Sequence, residues 1–369
     1  MNQVKKHYAI LDGLRGVAAI VVIFFHIFEI FSGGNHVKQL INHGYLAVDF
    51  FFLLSGFVIA HAYDDRWGKM SLKSFAKRRL IRLHPMIIVG MLIGAILFYF
   101  SASEMFPLVE KTSILSLIGI TILGFLLLPI PIPMDIRGWA ETFPTNGPAW
   151  SLFYEYLANI AYALVLRKLS NKILFVLLFI AAVALIHLGV TSPKGDIIGG
   201  WSLNGEQIRV GLTRLAFPFL AGILLRRYFK PKNIKNAFVL SSIILVFFLA
   251  FPRVGGEENL WMNGIYDSLV VIIFFPIIIF IGASGNITSN IGNKICKFLG
   301  DISYPLYITH FPIIYVFYAW INNNNISIED SLPMAFVTFV ICMIVAYASL
   351  KLYDIPVRAW LTKKFITKN

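Results

Sequence analysis

Arg15 and His26 are the residues whose types and spacing first point to chemistry. They stand eleven positions apart in LDGLRGVAAIVVIFFHIFE (11–29), a run apolar enough to enter a membrane. At about 100° per residue, eleven steps make about three turns, so both project from one helix face, roughly 16 Å apart along it. Such residues are costly in lipid and usually face a cavity or a partner. The plainer alternative has Arg15 snorkelling to headgroups and His26 hydrogen-bonding inside a bundle. In the chemical reading Arg15 receives an anion and His26 serves as a base, because an ordinary imidazole is mostly neutral at pH 7.

Other stretches carry candidates of the same kind. In KSFAKRRLIRLHP (73–85), Arg79 and Arg82 are spaced i, i+3 and share a helix face. Their planar forks suit phosphate oxygens, although a basic collar on anionic lipid would look alike. Asp49 opens the apolar run DFFFLLSGFVIA, where it could orient an imidazole, pair with a cation or cap the helix. In GPAWSLFYEY (147–156), Pro148 fits a first turn, and Ser151 and Glu155 share a face. Glu155 either pairs with an intramembrane cation or works on a substrate. Trp150 sits at interface height, in an aromatic belt or stacked on a sugar. In SYPLYITHFPII (303–314), Tyr307 and His310 lie on overlapping faces, with His310 read first as a buried hydrogen-bonding residue.

The elements that must position these residues are membrane helices. The 369 residues are 58% hydrophobic and 14% charged, against roughly 25% charged in a soluble domain. This predicts an all-α polytopic bundle, read as a single domain over 1–369. Candidate spans are 11–31, 44–62, 84–103, 148–166, 173–190, 208–225, 236–251, 265–283, 302–320 and 332–352. The apolar run 113–133 is an eleventh candidate, and charge decides against it. If it does not cross and both termini are cytoplasmic, 24 of the 32 lysines and arginines fall on the inner side, Lys5 among them. Pro129, Pro131 and Pro133 fit a re-entrant or interfacial segment there. The basic N-terminus has no small-residue cleavage site, so the first span is expected to be retained.

Several chemistries find no support. A net charge of +13 suits cationic helix ends better than nucleic-acid binding. Cys296 and Cys342 build no disulfide framework or zinc site, so no metal is expected. There is no GxSxG elbow, HExxH or Walker loop, and no internal repeat of the transporter kind.

Taken in order, Arg15-x10-His26, GYLAVDFFFLLSGFVIA (44–60), RLIRLHP (79–85), GPAWSLFYEY (147–156) and GDISYPLYITHFPII (300–314) resemble the membrane-bound acyltransferase 3 family of bacterial O-acyltransferases. The resemblance implies about ten transmembrane helices in the inner membrane of a bacterial cell. It also implies transfer of an acyl group, usually acetyl, from cytoplasmic acyl-CoA to an extracytoplasmic carbohydrate hydroxyl. On this reading Arg15, Arg79 and Arg82 serve the donor, and His26 is the base. Glu155 or Asp49 orients it, and Trp150, Tyr307 and His310 meet the acceptor. No cofactor is held permanently. Some relatives carry a C-terminal SGNH domain that is not read here, which leaves room for a separate periplasmic partner. The alternative is a transporter or flippase of a polar or lipid-linked solute.

Overall fold

The computed structural model describes residues 6–367; Lys5 and Lys368, both counted in the inner charge, lie outside them. Among the described residues there are helices and no named strand. In chain order they are α1 (Ala9–Glu29), α2 (Ala47–Tyr63), α3 (Leu72–Leu97), α4 (Ile114–Phe125) and α5 (Ala149–Leu164). Then come α6 (Asn171–Thr191), α7 (Gly205–Tyr228), α8 (Ala237–Ala250), α9 (Trp261–Leu269), α10 (Phe275–Ser284), α11 (Asn290–Asn324), α12 (Ile328–Ser349) and α13 (Ile355–Phe365). Polar residues set many of the starts. Ser71, Ser113, Ser170, Asn204, Ser289 and Ser327 each accept a backbone N–H of the first turn of the helix they precede. Wide π turns join α9 to α10 (Val270–Phe274) and α12 to α13 (Leu350–Asp354), each just before a proline, Pro276 or Pro356.

Seven stretches are long and apolar enough to cross a membrane: Ala9–Ser32, Gly44–Tyr63, Leu72–Leu97, Asn171–Thr191, Gly205–Tyr228, Trp261–Ser284 and Ile328–Phe365. The protein is therefore an all-α polytopic membrane protein. The expected spans at 148–166, 236–251 and 302–320 are helical too, but they differ from the seven. α5 and α8 have 16 and 14 residues, and α11, though 35 long, spends its buried face on Tyr307, Thr309, His310 and Tyr315. Within 113–133, α4 has 12 residues, a length of about 18 Å against an apolar layer of about 30 Å. Both described chain ends lie at one end of the bundle, here termed the basic end. Tyr8 packs edge-on to His61 and Phe229, and Lys77 of α3 stands over the Phe365 ring of α13.

Two close helix pairs form the frame. α1 runs along α11, where a Cβ on Gly16 would overlap the Leu299 carbonyl. α2 meets α7 through facing glycines, Gly56 against the Phe219 carbonyl and Gly222 against that of Leu53. Prolines then create attachment points. Pro312 has no N–H for the Ile308 carbonyl, one turn back on α11. That carbonyl instead accepts from Asn146 Nδ2 at 2.7 Å, which pins the start of α5 to α11. The Gly147 N–H, donating to Tyr315 at 3.2 Å, adds a second tie.

Gly16→Leu should therefore lower the melting temperature in detergent sharply, since overpacking costs about 1–3 kcal/mol. Gly119→Leu on α4, where a Cβ meets nothing within 4 Å, should leave it unchanged. Equal melting of both variants would sink the close-packing account.

Candidate functional site

Two cavities follow the Arg15–His26 face of α1. The lower one, nearer the basic end, is about 160 Å3 and is lined by Arg15, Arg79, Arg82 and Glu155. The upper one is about 260 Å3 and is lined by His26, Glu29, Glu141 and three tryptophans, Trp139, Trp150 and Trp201. Val48 and Tyr307 line both, so the cavities meet at a wall one side chain thick. The α1 backbone supplies Arg15 to one and His26 to the other.

In the lower cavity Arg79 Nη2 bonds Glu155 Oε1 at 2.8 Å, and Ser55 donates to the same oxygen at 2.6 Å. Asn159 donates to the Glu155 carbonyl at 2.7 Å. Arg15 pairs with Asp12 at 2.8 Å, one turn toward the basic end. Arg82 is exposed into the cavity and has no hydrogen-bond or ion-pair partner among the described residues. Three guanidiniums are met by two carboxylates, Glu155 in the cavity wall and Asp12 below it, which leaves a site suited to an anion.

In the upper cavity His26 Nδ1 lies 2.7 Å from Glu29 Oε2. A carboxylate only accepts, so Nδ1 carries the proton and Nε2 is left as the basic nitrogen. The ring is held edge-on by Phe311 and Phe25, at 4.6 and 4.9 Å between centroids. Tyr318 donates to Glu29 at 3.2 Å and also reaches the His26 carbonyl. This is the base-plus-orienter arrangement of general-base sites. Across the cavity, Glu141 accepts from Tyr315 at 2.6 Å, and Arg137 lies over the Tyr315 ring, 3.6 Å from its centroid. Burial pushes the Glu141 carboxyl up to about 7, with Arg137 and the Tyr315 hydroxyl opposing the shift and Asp135 and Glu29 adding to it.

The structure thus brings Arg15, Arg79, Arg82 and Glu155 together, and Trp150 and Tyr307 with His26. Three expectations are corrected. Asp49 does not reach His26: it is fully buried against Arg214, at 2.6 and 3.3 Å, and Arg214 also donates to the Tyr45 and Gly199 carbonyls. Glu155 is held by Arg79 in the lower cavity, so it does not orient the imidazole either; Glu29 does. His310 stacks behind His26, with centroids 5.5 Å apart, and is buried outside the cavity lining with Nδ1 on the Tyr307 carbonyl at 2.8 Å. Glu29 had a visible signal, an acid one turn after the histidine. Glu141, Trp139 and Trp201 sit in loops, where spacing carries no face. Among the described residues no group of three His, Cys, Asp or Glu side chains comes together that could hold a metal ion.

Comparison with known proteins gives a consistent picture. The family model described as "Acyltransferase domain" matches residues 8–351. A Staphylococcus aureus (strain COL) protein named "Putative O-acetyltransferase" is 27% identical over 94% of this chain and 57% of its own length. "O-acetyltransferase OatA" of Staphylococcus aureus (strain NCTC 8325 / PS 47) is 24% identical over the same shares. "Protein 2 in picA locus" of Rhizobium radiobacter is 32% identical over 49% of this chain and 94% of its own. The chain spans little more than half the length of the first two relatives. No solved structure matches it.

Two outcomes follow for the charges. Asp49→Leu leaves Arg214 buried without its carboxylate, which should cost about 3–5 kcal/mol in unfolding experiments, whereas Asp49→Leu with Arg214→Met should regain most of it. No recovery in the double variant would mean that the pair is not the reason for the loss. A carboxyl raised in the folded state makes stability fall as pH rises from its unfolded value, near 4.3, through the folded value near 7. Glu141→Gln should flatten that fall in a series of melting curves from pH 4.5 to 8. An unchanged slope would mean that Glu141 is not its source.

Proposed function

The chain belongs to the acyltransferase family whose model matches residues 8–351, and we propose that it transfers an acyl group, acetyl first of all, from acyl-CoA to a carbohydrate hydroxyl. The observation that carries this reading is the meeting of an arginine-lined cavity and a His–Glu-lined cavity at Val48 and Tyr307. The basic end is assigned to the cytoplasm of a bacterial cell, because lysines and arginines accumulate on that side of inner-membrane proteins. With that assignment ten crossings and two cytoplasmic termini account for the charge distribution. The anionic donor enters on Arg15, Arg79 and Arg82, and its pantetheine arm runs along α1, where roughly 16 Å of helix separates Arg15 from His26.

At the junction the thioester carbonyl lies beside Tyr307, whose hydroxyl is 2.7 Å from Ser151 Oγ. The acceptor sits above it among Trp139, Trp150 and Trp201, aromatic faces that suit the C–H faces of a sugar ring. His26 Nε2 takes the proton of the attacking hydroxyl as the new C–O bond forms. Glu29 stabilises the resulting imidazolium. The C–S bond then breaks, and the imidazolium returns its proton to the departing sulfur. The step needs no metal and no covalent acyl-enzyme. Arg214, held by Asp49 behind it, forms part of the upper cavity's wall and acts by position alone.

The test joins acetyl-CoA thiol release to mass spectrometry of envelope glycans from cells carrying each variant. His26→Ala should reduce acetylation by about 10^2–10^4-fold, the usual worth of a general base, and Glu29→Gln by a smaller factor. A folded His26→Ala protein that acetylates at the wild-type rate would overturn the mechanism.

A further inference from the structure

A third cavity, of about 520 Å3, opens at the basic end beside the lower one, and the two share Arg82 and Tyr304. Part of its wall comes from Asp354 and Arg358, beyond residue 351, where the family match stops. The π turn Leu350–Asp354 explains how they arrive there. An inserted residue rotates the following helix by about 100°, which re-aims α13 from the line of α12 toward α3.

The charges of this cavity are unevenly spent. Each carboxylate on its wall is already ion-paired: Asp12 with Arg15 and His7, Asp301 with Lys297 at 3.0 Å, and Asp354 with Arg358 at 2.8 Å. Arg82, at the junction, has no such partner among the described residues. Arg358 Nε is buried and also lacks a partner. Among the described residues Arg82 is thus the guanidinium of this wall with no ion pair, while Arg358, paired through Nη2, keeps one spare N–H at Nε, as Asp354 keeps one spare oxygen at Oδ1. A fork of N–H groups of that kind is matched by phosphate oxygens. The volume lies within the range of ordinary ligand sites.

We propose that this cavity holds the 3′-phosphoadenosine half of the donor, with Arg82 on the pyrophosphate and Arg358 on the 3′-phosphate. The order of groups along CoA matches the order of the cavities. Pantetheine lies in the lower cavity, the pyrophosphate at the shared Arg82, and the adenosine phosphate beyond it. The assignment rests on the acyl-CoA reading above and adds to it a C-terminal segment outside the matched family region. Arg358 becomes a donor-specificity residue, and α13 part of the binding site.

The test compares CoA with 3′-dephospho-CoA on the full chain in detergent, by titration calorimetry. Wild type should bind CoA at least tenfold more tightly than 3′-dephospho-CoA. Arg358→Ala should erase that ratio by weakening CoA alone, and Arg358→Lys should restore part of it. In the transfer assay Arg358→Ala should raise KM for acetyl-CoA with kcat kept at saturating donor. Melting curves of both variants guard against loss of fold, with the Lys variant carrying the test if the Ala variant unfolds. A wild-type ratio in folded Arg358→Ala would overturn the proposal while leaving the donor reading intact. So would loss of phosphatidylglycerol binding with the CoA ratio unchanged, because the cavity would then belong to lipid. If wild type binds neither CoA nor 3′-dephospho-CoA, the donor reading falls and takes this proposal with it.

Discussion

A charge drawn into an apolar bundle must be matched on the spot, and the architecture follows from that demand. Arg214 is the clearest case. Its guanidinium is fully buried and meets Asp49 twice and two backbone carbonyls, so α7, α2 and the loops carrying Tyr45 and Gly199 are bound to one point. A lone guanidinium there would cost several kcal/mol. Arg214 also lines the upper cavity, so the same bonds that hold the fold fix part of that cavity's wall.

The second demand is on the backbone. α11 carries two prolines in its interior, and each leaves a carbonyl without its helical donor. For Pro312 that carbonyl is Ile308's, and Asn146 Nδ2 takes it. The broken ladder thereby becomes a socket for the segment before α5. That segment delivers Gly147, Pro148 and Trp150 to the cavity wall. Helix-breaking residues inside a span, costly in isolation, here determine where the loop docks.

Against this fixed frame stand a few groups with spare capacity. Among the described residues His26 Nε2 and Arg82 have no hydrogen-bond partner, and burial raises the Glu141 carboxyl to about 7. They lie along one path beside α1. Glu155 and Asp49 are by contrast held by arginines, which is why carboxylates that look catalytic in the chain turn out to tune or hold cations. The distinction between a spent charge and an available one is a property of neighbours.

That distinction separates what the chain alone determined from what folding decided. The helices, the common face of Arg15 and His26 and the pairing of Ser151 with Glu155 on one face were legible, because helical geometry is set within three or four residues. Glu29 was equally local and could have been read from its spacing to His26. The partnership of Asp49 with Arg214, the loop-borne Glu141 and Trp201, and the burial of His310 were not. Each joins residues more than a hundred positions apart, or depends on how a loop without periodicity docks. Such contacts arise from helix crossings and proline-freed carbonyls, which exist only once the whole bundle has packed.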